Sequence, residues 1–410
     1  MTIFSVALLF SVSTMLLNLL GYNYEVAGGS LLEKMHPGDL VAVAAFGLLF
    51  FSRRHPFRFA TDLLARHLGL TIFLAIWFLL LVYLVIVQKS PFTPIIDTFL
   101  LPMIIFALFD QQREAISAPL ERFLHAFIAI NSLLGVFEVV TGWRLIPYTT
   151  AGIEITDDWR ATALMGHPLA NALMTGCYLL ALLLQGGTRL SGAWRFLAIG
   201  LTSAGMVAFG GRAAMVLLFL FAAPLIALRT VGSLAYGRAT PLQAAMATLG
   251  GLFVVGSVGA LASAGAFDRF IARFVEDQGS AKSRVAMFDL FESISWRDLL
   301  LGPDPALIDT LKQIEGLEFG IESFWVASTL AYGLIMACIT FIGIFIFCRQ
   351  IVQVSRPSAW WLFAYFFAVA STSVSIAAKT CVLAMLAAMM MVLLPPRQGG
   401  MRTFVSGRAQ

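Results

Sequence analysis

The chain has 410 residues, of which 59% are hydrophobic and only 12% charged, with a net charge of +4 and a mean hydropathy of +0.87. That leaves too few charged groups to cover a water-soluble globule of this length, which excludes a soluble protein. The longest polar stretch, residues 263–320, is too short and too broken by apolar residues to form a soluble domain, and no nucleic-acid partner is expected.

Apolar runs able to cross about 30 Å of hydrocarbon recur along the whole chain. A backbone in lipid must satisfy its own polar groups, so these runs must be helices. The expected fold is all-α, a polytopic integral membrane protein forming a single transmembrane domain over residues 1–410. About twelve spans are predicted, near 2–21, 38–52, 69–88, 94–109, 123–140, 168–185, 195–209, 212–228, 242–262, 321–348, 359–373 and 378–395. The first, "MTIFSVALLF", lacks a basic start and a small-residue cleavage site, so it reads as a retained span. No internal repeat or low-complexity segment stands out.

Alternate connections between twelve spans fall on two sides. One side holds Arg53, Arg54, Arg58, Arg66, Arg113, Arg122, Arg189, Arg195, Arg229, Arg238, Arg349, Arg356, Arg397, Arg402 and Arg408. These are 15 of the 27 basic residues, all in short connections or the tail. The other side has only Lys34, Lys89, Arg212 and Lys379 in short connections. Short-loop charge sets orientation, so the first side is expected to be cytoplasmic, with both termini. The first outer segment is then 141–167, and a large helical periplasmic loop, 263–320, follows the ninth span.

Cys177, Cys338, Cys348 and Cys381 lie inside predicted spans, and no disulfide framework follows. No Cys/His spacing suits a metal, and no cofactor is expected. The pair Asp157 and Asp158 could hold a divalent cation, although an acidic pair in a loop is more often solvated.

The two outer segments carry the polar chemistry. In the first, Asp157 and Asp158 precede Arg160, and Gly166, His167 and Pro168 then enter a span. In the second, Val285, Phe288, Phe291 and Ile294 recur every three residues as an apolar face, with Asp289 and Glu292 on the reverse. The stretch "LLGPDP" ends that helix, a short helix over 305–315 follows, and Glu322 opens the tenth span. Arg212 sits in "AFGGRAAMV", a turn between two apolar runs too short to leave the membrane.

Each of these residues also has a plainer reading. Arg212 can snorkel to the interface, and His167 can cap the helix that Pro168 opens. Arg160 and Arg284 can pair with Asp157, Asp158 or Asp289, while Arg269 and Arg273 suit surface anchors. Glu138 and Asp97 lie near the outer ends of spans, where arginines can pair with them. Lys379 reads as a topology anchor, and Glu322 can cap its own helix.

Three local patterns resemble a known family. "WRATALMGHPLANALM" is similar to an Arg followed by a Gly-His-Pro stretch that opens a span. "GGRAAMV" is similar to a small-residue turn carrying one arginine. "SRVAMFDLFESISWRDLLLGPD", followed by "GIESFW" and "AYGLI", resembles a large periplasmic loop with its return helix. Over about residues 120–350 the order and placement of these patterns resemble the O-antigen ligase and O-antigen or exopolysaccharide polymerase superfamily of bacterial inner membranes. The resemblance implies a membrane glycosyltransferase using glycans linked to undecaprenyl pyrophosphate, working beside chain-length regulator and export proteins.

By that resemblance Arg212, Arg284 and Arg160 bind the pyrophosphate, and Glu322 or His167 acts as catalytic base. Ligases carry a histidine where this chain has Glu322 and Ser323, which favours the polymerase over the ligase reaction. A transporter or flippase of a lipid-linked sugar is the alternative of another class. It would call for repeated halves and polar residues at mid-membrane rather than at the outer face.

Overall fold

The computed structural model describes residues 1–24, 30–150, 153–155, 158–235, 280–317, 320–373, 376 and 379–396. The predicted ninth span, the first part of the large loop with Arg269 and Arg273, and Asp157 lie outside them. The helices in chain order are α1 (Thr2–Ser11), α2 (Thr14–Leu19), α3 (Pro37–Phe51), α4 (Pro56–Arg66), α5 (Leu68–Val82), α6 (Thr93–Ile95) and α7 (Leu101–Thr141). After them come α8 (Pro168–Leu183), α9 (Gly192–Phe209), α10 (Arg212–Ala235), α11 (Ser280–Glu292), α12 (Trp296–Leu301) and α13 (Pro305–Ile314). The last four are α14 (Phe324–Tyr332), α15 (Leu334–Gln353), α16 (Ala359–Ala370) and α17 (Val382–Leu393). Short π-helical segments, Tyr83–Gln88 and Ile96–Leu100, extend α5 and lead into α7. The one strand pairing among the described residues is antiparallel, β1 (Thr149–Thr150) with β2 (Ile153–Glu154).

Four helical stretches are long and apolar enough to cross a membrane: Leu68–Gln88, Thr93–Thr141, Gly192–Phe209 and Leu334–Gln353. Shorter apolar helices, α1, α3, α8, α16, α17 and the Arg212–Leu228 part of α10, pack among them. A helix that is apolar on every side needs cover on every side. All twelve residues of α17 are buried, which places it at the centre of the bundle. On α5, by contrast, Phe78 and Leu79 lie exposed, as do Val85 and Ile86 in its π-helical extension. Helices in lipid gain little from apolar burial against one another, so close contact falls to small residues. α7 meets α9 in this way: a side chain on Gly135 would strike Phe209, and one on Gly205 would strike Ser132.

The structure revises the predicted spans in three places. The predicted span 2–21 is broken at Ser13, whose hydroxyl accepts from the Leu16 N–H and starts α2. The predicted spans 94–109 and 123–140 are joined by helical residues, so the expected connection between them is part of α7. A straight helix of 41 residues would reach about 60 Å, twice the hydrocarbon thickness. The contacts show that this run reverses instead. Thr2 at the start of α1 bonds Gln112 in mid-α7, whereas Gly166 packs against Ser13 beyond the other end of α1. Glu138 reaches the segment leading to Gly166, and Asp97 lies with Lys379 and the residues around His36. Both arms therefore end on the Ser13 side, and the reversal includes Pro119, which removes one helical hydrogen bond.

The predicted span 321–348 breaks at Gly333, which separates α14 from α15. Gly333 has φ 78° and ψ 155°, a conformation costly for any other residue, and a Cβ there would fall on the backbone of Leu301 and Gly302. Gly333→Ala is expected to lower the stability of the detergent-solubilised protein by about 2 kcal/mol or more, read as a fall in melting temperature.

The apolar face of α11 also differs from the expected one. The buried residues are Ala286, Met287, Leu290 and Ile294, packed with Ile308, Leu317, Ile321, Val326 and Leu330 in a second core. Phe288 is 55% exposed. A strict three-residue spacing drifts about 60° around a helix at each step, so the repeat leaves any one face within α11, and Ile294 lies beyond its end. Asp289 and Glu292 do lie on the exposed side, as expected. The short helix expected over 305–315 is α13, with Asp304 as its N-cap accepting from the Ala306 N–H at 2.9 Å.

Arginines gather at the end of the bundle opposite Ser13, where they serve the ends of helices. Arg113 donates to the carbonyls of Val354 and Met391, at 2.7 and 3.2 Å. Arg195 donates to Leu182 and Gly187, and Arg356 to Gln185 and Pro395. Carbonyls at helix C-termini lack helical partners and carry the negative end of the helix dipole, so cations satisfy them.

Candidate functional site at the end opposite the arginine cluster

The connection between α7 and α8 has almost no regular structure, and buried polar side chains hold it. Glu138, near the end of α7, accepts from three backbone N–H groups: Leu145 at 3.0 Å, Thr162 at 2.9 Å and Ala163 at 2.9 Å. Asn131, two turns earlier, accepts from the Leu164 N–H at 3.0 Å and donates to the Asn171 side chain at 2.8 Å. Asn171 in turn donates to the Thr162 carbonyl at 2.6 Å. Glu138, expected to pair with an arginine, thus holds backbone instead. The segment after it also docks on the α9–α10 turn, where the Ala161 N–H donates to the Ala208 carbonyl at 3.1 Å.

This scaffold fixes Arg160. Its Nε donates to both oxygens of Asp158, at 3.0 and 2.8 Å, and Nη2 bonds Asp158 Oδ2 as well. Burial disfavours the guanidinium charge, but the hydrogen bonds and charge of Asp158 outweigh it and leave the Arg160 pKa raised. The guanidinium carbon lies 5.8 Å from the Tyr148 ring centre. The Arg160 stem packs on Gly210, where a Cβ would approach Cγ to 2.7 Å. Gly210 has φ 63°, so glycine there serves both the left-handed turn and this contact.

His167 is the N-cap of α8. Its Nδ1 accepts from the Leu169 N–H at 3.2 Å, which leaves the proton on Nε2. Its ring stands edge-on to Tyr148 with centroids 5.7 Å apart. Burial, and then the Arg160 charge, push its pKa down to about 4, so it is neutral near pH 7. In this state His167 donates through Nε2 and has no open lone pair with which to accept a proton.

Glu322 precedes α14, whose N-cap is Ser323, and its charge acts on Arg160 across 162 positions of sequence. Arg212 is the first residue of α10, half-buried and two positions from the glycine against which Arg160 packs. Arg284 lies on α11, with its side chain outside the described part of the structure. The fold therefore brings Arg160, His167 and Glu322 together, with the Arg212 turn behind Arg160. Asp158 is engaged by Arg160, which argues against its use as a metal ligand.

Sequence reasoning passed over Asn131, Asn171, Tyr148 and Trp159. The two asparagines did carry a signal, since an amide inside an apolar run must find a partner. Trp159 packs on Gly210, and its buried indole N–H has no acceptor among the described residues. Lys379, read as a topology anchor, lies 3.9 Å from Asp97 and 3.7 Å from the Tyr24 ring centre, and Tyr24 donates to Asp97 at 2.5 Å. Asp97 is therefore paired with a lysine and a tyrosine rather than an arginine.

Fold and site together define a largely helical protein, with four helical stretches long and apolar enough to span a membrane and a charged site at one end of the bundle. No protein-family description, curated protein or solved structure matches the chain.

Proposed function

We propose that the protein is a polysaccharide polymerase of the bacterial inner membrane, transferring a growing glycan from undecaprenyl pyrophosphate to a sugar hydroxyl of another lipid-linked repeat unit. The observation that carries this reading is the convergence of Arg160, His167 and Glu322, beside the Arg212 turn, at the end of the bundle away from the arginine-rich connections. On this reading the arginine-rich end and both termini are cytoplasmic, the site faces the periplasm, and the shorter apolar helices complete a twelve-span bundle.

Such a transfer forms a bond between the acceptor oxygen and the sugar's anomeric carbon while the bond to pyrophosphate breaks. The departing group gains charge, and the acceptor hydroxyl loses its proton. Cations fixed at the site stabilise the first change. Arg212 at the N-terminus of α10 combines a planar two-pronged donor with the positive end of a helix dipole. Arg284 on α11 and Arg160, exchanging Asp158 for a phosphate oxygen, would complete the pyrophosphate grip. The buried Trp159 indole N–H adds a donor awaiting an acceptor. Glu322 accepts the hydroxyl proton. The cap made by His167 Nδ1 leaves that residue a donor through Nε2 rather than a base.

Arg212→Lys tests the pyrophosphate contact, because it keeps the charge and loses the fork. With lipid-linked repeat units and purified protein, turnover is expected to fall roughly 30- to 1,000-fold, as for loss of one strong transition-state contact. Wild-type turnover by Arg212→Ala at equal membrane abundance would assign the arginine to anchoring the turn. Transfer to lipopolysaccharide core rather than to another repeat unit would make the protein a ligase.

A further inference from the structure

A cavity of about 1010 Å³ opens at the arginine-rich end of the bundle, away from the site just described. Three guanidiniums line it, from Arg66, Arg113 and Arg356, against a single carboxylate, Asp110. The carboxylate is already engaged: His67 Nε2 stands 3.0 Å from Asp110 Oδ1, and Arg66 Nη2 lies 3.9 Å from Oδ2. The Gly69 N–H donates to Gln350 Oε1 at 3.1 Å, which turns the Gln350 amide nitrogen toward His67 Nδ1 at 3.3 Å. His67 is thus held between Gln350 and Asp110. Arg113 and Arg356 each give two hydrogen bonds to carbonyls, and a guanidinium has five N–H groups to give. Among the described residues, the cavity thus keeps a net positive charge and unspent donors.

Part of its lining is apolar. Phe106 and Phe109 form part of the wall. Arg66 ends α4, an amphipathic helix with Leu63 buried and Phe57 80% exposed, of the kind that lies along a membrane surface. An occupant must therefore match cations in the cavity and hydrocarbon at its rim.

We propose that this cavity binds the phosphodiester headgroup of an anionic phospholipid, with the acyl chains lying beside α4. Basic pockets between membrane helices hold anionic headgroups by this chemistry. The bound lipid would tie α4, α7 and the α15–α16 connection together at one end of the bundle.

The test uses full-length protein purified in mild detergent and stripped of bound lipid. Phosphatidylglycerol is expected to raise its melting temperature saturably, while phosphatidylcholine and soluble sn-glycerol 3-phosphate leave it unchanged. Arg66→Glu reverses a largely exposed charge and should weaken phosphatidylglycerol binding roughly tenfold or more. Arg66→Ala, a milder change at the same position, should weaken it in the same direction. Equal stabilisation by phosphatidylcholine, or full binding of phosphatidylglycerol by both variants, would overturn the proposal. Stabilisation by glycerol phosphate alone would also overturn it, identifying a site for free phosphate.

Discussion

Glu322→Gln is expected to reduce turnover of lipid-linked repeat units by about 10²- to 10⁴-fold, the range that a positioned general base contributes. The amide keeps the size of the side chain and one acceptor oxygen but cannot take up the proton of the attacking hydroxyl. Glu322 also acts electrostatically on Arg160, so a loss of activity has a second explanation: the substitution removes a partner that helps to hold the arginine. The two are separable. Loss of the base lowers kcat with KM for the lipid-linked donor nearly unchanged, whereas a displaced Arg160 raises KM. Glu322→His provides a further readout, since a base restored as imidazole should give a rate that rises through about pH 6–7 as the ring deprotonates. Normal rates of polymer formation by Glu322→Gln at wild-type abundance would move the base elsewhere.

Glu138→Ala is expected to give the largest loss of stability. The carboxylate receives three backbone N–H groups in a connection with little regular structure, and those of Thr162 and Ala163 are buried. An alanine orphans them, at about 1–3 kcal/mol for each buried donor left unpaired, or about 2–6 kcal/mol together. Glu138→Gln should be much milder. Its one carbonyl oxygen can take the place of Oε2, which accepts from Thr162 and Ala163, and give up only the Leu145 bond made by Oε1. Thermal melting of the three proteins in detergent checks this order. Because Arg160 lies two positions before Thr162, Glu138→Ala should also reduce turnover in protein that remains folded. Equal melting temperatures for the alanine and glutamine variants would show that the connection is held by other contacts.

Much of the local architecture was legible in the chain because it depends on neighbours in sequence. Proline at the first helical position marks the start of α3, α4, α8 and α13, and Asp304 marks an N-cap. Of the arginines expected on one side, Arg66, Arg113, Arg195 and Arg356 gather at one end. Arg160 and His167 were each legible as candidates, and so were their plainer roles, an ion pair with Asp158 and a helix cap, both of which the structure contains.

Apolar composition, charge placement and stop signals thus determined that the chain is helical, that its helices are of membrane-spanning character and where most of them begin. The central position of α17, the reversal within α7, the register of α11 and the break at Gly333 were decided only by tertiary packing. Hydropathy does not separate a helix buried in the bundle from one facing lipid, because acyl chains are as apolar as leucine. The grouping of Glu138, Asp158, Arg160, His167 and Glu322 is tertiary for the same reason. Asp158, Arg160 and His167 have local roles that their neighbours explain, but the proximity of all five depends on α7 folding back and on the residues before α14 returning to the α9–α10 turn.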